Sequence, residues 1–310
     1  MTTRTASTKK KWAAAHGVWV HFIPRAQMRR KKAILGETPR PKAVAPAGGL
    51  PVTTLPVDCT GNATVSCPML GNDTEGDCGP AMMAHTSQIR TFGQGTPGFT
   101  EIIVDQTALV AQYQQVSGGD NGTDEDMLVG ATGIATAAGG GLAGDPVDII
   151  VDHLDLDITD APLTQYCIDQ FYAVEMAWSV PDDFLKNFAQ GIVFANADTP
   201  DPDNGHFTSQ ADVGGPSSIA ADGTNVNGFY RLWTWGSWCW VSPKFVASVD
   251  PECFVTFSAL QFNAQGYDSH GRHVCDQAAA WVAIGGNASL VAAVVAQFPA
   301  KAAPDATLKP

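Results

Sequence analysis

The periodicity of the sequence changes near residue 170, and this change constrains the fold more than any other feature. Before it, apolar residues recur at helical spacing over 78–91, 105–116 and 124–138. After it come strand-like segments bounded by Asp, Pro, Gly and Asn loops, at 171–178, 191–197, 206–213, 228–235 and 253–258. Further helices are predicted at 181–190, from 242 onward, at 276–284 and at 289–298. Helices in one half and antiparallel strands in the other are typical of an α+β fold, in which a nucleophile from one half can meet partners from the other.

Length and composition allow a full hydrophobic core. The chain has 310 residues, of which 45% are hydrophobic, enough for one large domain or two small ones.

The sequence contains no apolar run of about 18 residues, so no membrane-spanning helix is predicted. Basic residues precede the segment 12–23, but this segment contains His16 and His21 and lacks a small-residue cleavage site. We therefore expect no secretory signal.

The cysteines favour reduced thiols over a disulfide framework. There are seven, an odd number, and they are scattered along the chain. Cys59 and Cys67 are the one pair close enough in sequence to suggest a bridged loop. His270, His273 and Cys275 could supply three zinc ligands, but a tetrahedral site needs a fourth ligand and the sequence has no CxxC motif. No metal or other cofactor is therefore predicted.

Charge is divided between a basic N-terminus and an acidic body. Residues 1–42 hold eleven Lys/Arg and a single acid, Glu37, although the whole chain has a net charge of −13. We predict an extended basic arm and Pro/Ala/Gly linker over 1–57. A domain over 58–300 follows, with a helical part at about 58–170, a sheet part at about 171–285 and a terminal helix at 289–298.

Such an arm indicates an electrostatic partner. We expect the arm to bind other protein subunits of a larger assembly. Nucleic acid is a less favoured partner, because the acidic body would repel a duplex.

Cys78 follows a loop of turn-forming residues and begins the first predicted helix. The stretch runs from Gly71 through Asn72-Asp73-Thr74-Glu75-Gly76-Asp77 to Cys78 and on to His85. Amide groups and the helix dipole favour negative charge at a helix N-terminus, so this position is expected to lower the pKa of the thiol. A lower pKa raises the fraction of thiolate, which is the nucleophilic form of cysteine. The alternative is a small, buried structural cysteine.

A cysteine nucleophile needs a base, which is usually histidine. His206 follows Asp203-Asn204-Gly205 at the start of a predicted strand, 128 positions after Cys78. His85 lies on the Cys78 helix and is expected to pack in the core. His206 is therefore the candidate base.

Three short motifs resemble those of a known family. Gly76-Asp77-Cys78 resembles a Gly-Ser-Cys that opens an active-site helix, Gly205-His206 resembles a Gly-His strand, and Thr234-Trp235-Gly236 resembles a Ser-Trp-Gly. Together they resemble the papain-like cysteine peptidases, whose histidine lies about 130 to 150 residues after the cysteine. The likeness is strongest to uncharacterised phage and bacterial papain-like proteins with an Asn-Asp-x-x-Gly-Asp-Cys motif, and it covers about residues 58–285.

The resemblance implies a fold, an activity and roles for three residues. Cys78 would attack a carbonyl carbon, and His206 would protonate the leaving amine. Asn72, six positions before Cys78, stands where the family has an oxyanion-binding glutamine, and would act with the backbone amide of Cys78. The substrate implied is a peptide, an isopeptide or a cell-wall cross-link.

One position departs from the family pattern. The residue before Ser-Trp-Gly is an asparagine that orients the histidine in papain, whereas this chain has Trp233. An indole cannot accept a hydrogen bond from an imidazole. One alternative is that Asp212, Asp222, Asn225 or a backbone carbonyl orients His206. Another is that the site works as a Cys-His dyad. The third is that the protein has this fold but is no longer catalytically active.

Two functions follow from these observations. The first is a papain-like Cys-His hydrolase in a protein built into a larger assembly such as a phage virion. The second is a non-catalytic structural virion protein, a capsid-surface or tail component, that uses the same fold as a scaffold. The expected location is the virion, or the host cytoplasm during assembly.

Overall fold

The structure is a computed structural model that describes residues 9–13, 18–22, 41–60, 68–92, 98–99, 101–102, 104–117 and 150–301. The predicted helix at 124–138, Cys67 and most of the predicted arm lie outside these residues. Among the helices that are described, none is both long enough and apolar enough to cross a membrane.

The helices in the described part of the chain follow the predicted segments closely in most places. They are α1 Cys78–Thr91, α2 Gln106–Ser117, α3 Ala161–Phe171, α4 Asp182–Asn187, α5 Pro243–Ser248, α6 Val274–Ala283 and α7 Ala288–Val295. Local signals explain several of their starts. The side chains of Asp160, Ser242 and Asn287 accept hydrogen bonds from backbone N–H groups of the first turns of α3, α5 and α7, as N-caps do.

The strands among the described residues form one large sheet and one small one. The small sheet pairs β1 Lys9–Ala13 with β2 Val18–Phe22. The large sheet contains β3 Ile150–Leu156, β4 Val174–Ser179, β5 Val193–Phe194, β6 Gly205–Val213, β7 Tyr230–Thr234, β8 Ser237–Val241 and β9 Glu252–Ser258. Their order is β3-β9-β4-β6-β7-β8-β5. All pairings are antiparallel except that of β5 with β8, which confirms the predicted α+β class.

Helix α1 is buried along its whole length because it packs on the large sheet. The hydroxyls of Thr86 and Ser209 lie 2.8 Å apart, and Ser209 Oγ donates to the carbonyl of Met82 at 3.1 Å. At the far end of the helix, Arg90 Nη2 donates to the carbonyl of Thr256 on β9 at 2.9 Å. A helix from the first half of the chain is thus fixed to strands from the second half, as the α+β pattern predicts.

Residues 41–57, which the sequence analysis places in the arm and linker, pack against the domain. The backbone N–H of Ala43 donates to the carbonyl of Asp155 on the edge strand β3 at 2.8 Å. Val57 and Val213 exchange both backbone hydrogen bonds, at 3.0 and 2.9 Å. Ala43 and Val57 are buried in the main core. The start of this segment therefore covers part of the edge strand β3, where unpaired backbone groups would otherwise invite association.

In the described part of the chain, β3, α3 and β8 lie where the sequence analysis predicts no element, and β1 and β2 lie in the segment that it predicts as an extended arm. Strand β3 belongs to the part predicted to be helical, although its buried positions Asp152, Leu154 and Leu156 alternate as in a strand. Asp152 is buried because it accepts hydrogen bonds from the indole of Trp281 and the backbone of Asn287. Helix α3 ends at Phe171, so the predicted strand over 171–178 begins only at Val174.

Candidate active site

Cys78, Asn72 and His206 line one small cavity between α1 and the large sheet. The remaining lining residues are Met69, Ala81, Met82, His85, Phe207, Thr234 and Trp235. The three predicted site residues are only 2%, 3% and 1% exposed, respectively. The cavity has a volume of about 10 Å³, close to the space that one water molecule needs. Tertiary folding therefore brings the three together, in a site that is closed to larger ligands in this conformation.

Asn72 is held by a tryptophan from the sheet. Trp235 Nε1 donates to Asn72 Oδ1 at 2.9 Å, which fixes the amide so that its oxygen faces the indole. Asn72 Nδ2, the donor end, is buried and has no hydrogen-bond partner among the described residues. A buried donor without a partner is costly unless a ligand supplies the acceptor.

The loop that carries Asn72 depends on a glycine. Gly71 has φ +97°, and a Cβ there would lie 2.5 Å from Val110 Cγ2 and 2.9 Å from Asp77 Oδ2. Both the backbone conformation and the close packing therefore require glycine. The carbonyl of Gly71 accepts hydrogen bonds from the backbone N–H groups of Thr74 and Glu75, at 2.8 and 2.9 Å. The turn they form leads directly into Cys78.

Trp235 occupies a strained position in the turn between β7 and β8. Trp235 and Gly236 have φ values of +46° and +71°, and Thr234 pairs with Ser237 across them, which is a two-residue type I′ hairpin. A left-handed conformation at a residue other than glycine costs roughly 1–2 kcal/mol. The hydrogen bond to Asn72 offsets part of this cost, as does stacking on the His206 ring, whose centroid lies 4.5 Å away.

His206 is oriented by Thr234, a residue that the sequence analysis did not consider for this role. His206 Nε2 and Thr234 Oγ1 lie 2.6 Å apart. Trp233 instead packs against Trp238, at 6.4 Å between ring centroids. Successive residues of a strand point to opposite faces of the sheet, so only one of Trp233 and Thr234 can face the histidine. This alternation is the signal from which Thr234 could have been identified.

The orienting residues that were proposed from sequence are engaged elsewhere. Asp212 accepts hydrogen bonds from the Cys59 backbone and the Thr60 hydroxyl, and pairs with Arg231 at 2.8 Å. Asp222 accepts a hydrogen bond from the backbone of Thr224, and Asn225 Nδ2 donates to the carbonyl of Pro216, both at the surface.

The predicted lowering of the Cys78 pKa is wrong for this conformation. Cys78 begins α1 as expected, but burial raises the pKa of its thiol to about 12, and the charge of Asp77 acts in the same direction. The backbone amides of Phe207, Gly79 and Cys78 itself oppose this rise without overcoming it. Desolvation disfavours the charged form more strongly than the helix N-terminus favours it.

Burial also keeps the imidazole of His206 neutral. Burial, together with a smaller effect of the nearby His85, lowers the pKa of His206 to about 3. In the closed site the pair is therefore a neutral thiol and a neutral imidazole. His85, predicted to pack in the core, is buried as expected but lines the same cavity.

Cys59 is a buried, free thiol, and Cys67, its suggested partner, lies outside the described residues. Cys59 Sγ lies 3.6 Å from the carbonyl of Ile168. Within the described ranges, no group of three or more His, Cys, Asp or Glu side chains is arranged to hold a metal ion.

No family model and no curated protein sequence matches the chain. The solved structures similar to it are papain-like cysteine proteases. Xylellain, a cysteine protease from Xylella fastidiosa, is 13% identical with a TM-score of 0.45, over 71% of this chain and 98% of xylellain. Digestive procathepsin L 3 from the larval midgut of Tenebrio molitor is 14% identical with a TM-score of 0.45, over 70% and 75%. Bromelain from Ananas comosus, solved with the E64 inhibitor, is 12% identical with a TM-score of 0.42, over 66% and 99%. Values this low do not place the chain in a family.

Proposed function

We propose that this chain is a papain-like cysteine peptidase that hydrolyses peptide or isopeptide bonds. The proposal rests on one observation: Cys78, His206 and Asn72 line the same cavity. They supply a thiol, an imidazole and an amide whose donor end has no hydrogen-bond partner among the described residues. Acyl transfer needs a nucleophile, a base and an oxyanion donor, and these three groups are of the required types.

In this proposal the Thr234 hydroxyl accepts the hydrogen bond from His206, which fixes the roles of the two ring nitrogens. If Nε2–H donates to Thr234 Oγ1, then Nδ1 carries the lone pair and takes the proton from Cys78 Sγ. The resulting thiolate attacks the carbonyl carbon of the scissile bond, forming a C–S bond and an oxyanion. Asn72 Nδ2 and the Cys78 backbone N–H donate to this oxyanion.

The intermediate then collapses with loss of the amine. The C–N bond breaks, and His206 Nδ1–H gives its proton to the leaving nitrogen. A water molecule, deprotonated by His206, attacks the thioester, and the C–S bond breaks to release the acid. The Cys78 sulfur recovers its proton from His206, so no other reactant is consumed.

Catalysis in this scheme requires the site to open. A cavity of about 10 Å³ cannot hold a peptide bond. Opening would hydrate Cys78 and His206, which lowers the thiol pKa and raises the imidazole pKa, because burial is the first cause of both shifts. Both changes favour the thiolate and imidazolium pair.

The alternative function is a non-catalytic scaffold. The deep burial of Cys78 and His206 is the observation that favours it, since a structural protein has no need to expose either residue. In that case Cys78 is a structural thiol like the other buried cysteines of the chain.

Labelling with a thiol-reactive peptidyl epoxide distinguishes the two functions. We expect the folded protein at pH 7 to be labelled at Cys78, because opening creates a thiolate next to a proton donor. Cys239 is the internal control: it is equally buried, and burial raises its pKa well above the usual value. Peptide mapping by mass spectrometry gives the labelling rate of each thiol. A rate at Cys78 no higher than that at Cys239 would support the scaffold.

Replacing Thr234 tests the orientation of His206. In Thr234→Val the shape is kept and the hydroxyl is lost, so we expect kcat/KM for a peptide substrate to fall about 10- to 100-fold, as for loss of a hydrogen bond to a group that becomes charged. Thr234→Ser keeps the hydroxyl and is expected to remain close to the wild type. Equal activity of the valine and serine variants would show that the hydroxyl does not orient the base.

We also propose that the basic N-terminal segment attaches the chain to an assembly such as a phage particle. The support is the charge division, with eleven Lys/Arg and one acid in residues 1–42 of a chain whose net charge is −13. Binding to an acidic protein surface should weaken as salt increases. Binding that is unchanged on deletion of residues 1–40 would contradict this role.

A further inference from the structure

His85 lines the same cavity as the proposed catalytic pair but stands further along α1 than Cys78. It lies seven residues after Cys78, about two helical turns, which places both side chains on one face of the helix. Seven residues correspond to about 10 Å along the helix axis. His85 is thus two turns away from Cys78, and the contact that is observed for its Nε2 is to the carbonyl of Pro68, which points to a role other than that of a base for Cys78.

The hydrogen bond of His85 reaches the loop that carries Asn72. His85 Nε2 lies 2.8 Å from the carbonyl oxygen of Pro68. A carbonyl only accepts hydrogen bonds, so Nε2 carries the proton and donates it. Burial lowers the pKa of His85 to about 4, so the ring remains neutral at ordinary pH and keeps this single donor in place.

The described loop runs from Pro68 to Asp77, directly before Cys78, the first residue of α1. Within the loop the backbone hydrogen bonds are local turns, from Asn72 N–H to Met69 and from Thr74 N–H to Gly71. His85 connects the start of the loop to α1, while Trp235 holds Asn72 from the sheet side. Asn72 is thus held from two sides, by α1 through Pro68 and by the turn after β7.

We infer that His85 is a positioning residue for the oxyanion site: by donating to Pro68, it holds the loop so that Asn72 Nδ2 faces the carbonyl oxygen of a substrate at Cys78. This inference rests on the proposed peptidase function. It assigns His85 no contact with substrate and no proton transfer. Its effect is on the position of the Asn72 amide, which must lie within hydrogen-bond distance of the developing oxyanion.

The decisive experiment is a double-mutant cycle between His85 and Asn72. His85→Leu removes the donor and keeps an apolar side chain, and we expect kcat to fall about 10- to 100-fold with little change in KM, because misplacing a transition-state donor resembles losing it. On an Asn72→Ala background the same change should have less than about a threefold effect, since coupled residues are not additive. The same decrease in kcat on both backgrounds would overturn the inference and indicate a general structural role for His85.

His85→Gln is the matched control, because its amide nitrogen lies near the position of the histidine Nε2 and can donate to Pro68. We expect this variant to recover most of the activity that His85→Leu loses. Thermal unfolding monitored by circular dichroism confirms that both variants are folded. Equal activity of the leucine and glutamine variants would contradict the proposed hydrogen bond.

Hydrogen exchange separates failure of this inference from failure of the proposed function. Measured by mass spectrometry, amide exchange over residues 68–77 is expected to be faster in His85→Leu than in the wild type or His85→Gln. Unchanged exchange would overturn the inference even if the protein is an active peptidase. If exchange is faster in His85→Leu but the wild type shows no Cys78-dependent turnover, the loop contact stands without a catalytic role, and the inference fails together with the proposed function.

Discussion

Replacing Cys78 by alanine is expected to abolish peptide hydrolysis while leaving the fold intact. The thiol is the only atom group lost, and in the proposed mechanism it forms the covalent bond to the substrate. Removing the nucleophile from a comparable catalytic set lowers kcat by about 10⁴-fold or more. The measurement is hydrolysis of a fluorogenic peptide by purified wild type and variant at pH 7.

Cys239→Ala is the matched control for this experiment. Cys239 lies on β8, is fully buried and belongs to the main core, so its truncation tests the cost of losing a buried sulfur without touching the site. We expect this variant to keep wild-type activity. Equal hydrolysis by Cys78→Ala and the wild type would remove Cys78 from the mechanism.

Replacing Glu175 by glutamine is expected to cause a large decrease in the free energy of unfolding. Glu175 on β4 and Arg90 on α1 are both fully buried, with 3.6 Å between their charged atoms. The hydroxyl of Thr256 lies between them and donates to Glu175 Oε1 at 2.8 Å. In Glu175→Gln the charge of Arg90 stays buried without its counter-charge, so we expect the free energy of unfolding to fall by about 3–5 kcal/mol. Urea unfolding followed by fluorescence measures this change.

The surface pair of Lys186 and Asp183 provides the control. Their atoms are closer, at 3.0 Å, but their side chains are 66% and 70% exposed. Water screens such a pair, so Asp183→Asn should change the free energy of unfolding by less than about 1 kcal/mol. The double variant Arg90→Met/Glu175→Leu should recover much of the stability, because apolar residues replace both charges. A Glu175→Gln variant as stable as Asp183→Asn would show that the buried pair does not hold α1 to the sheet.

Local signals in the sequence account for much of the fold. The predicted helix at 78–91 matches α1 residue for residue, and the Gly205–Val213 strand matches its prediction to within one residue. These elements depend on periodicity and on boundary residues only a few positions away. The errors have local causes as well. Strand β3 alternates over only seven residues, and its buried Asp152 breaks the apolar pattern although its tertiary partners satisfy it.

Periodicity and local motifs were enough to predict an α+β protein with a cysteine at a helix start, a histidine at a strand start and an asparagine in the loop before the helix. Alternation along β7 allows either Trp233 or Thr234 to face His206, and the folded sheet places Thr234 there. The contact of Trp235 with the Asn72 amide has no local signal in the sequence. Tertiary structure also decided that Cys78 is a neutral thiol in the closed site. The physical reason is that strand register and desolvation depend on residues far apart in the chain. Asn72 and Trp235, for example, are 163 positions apart.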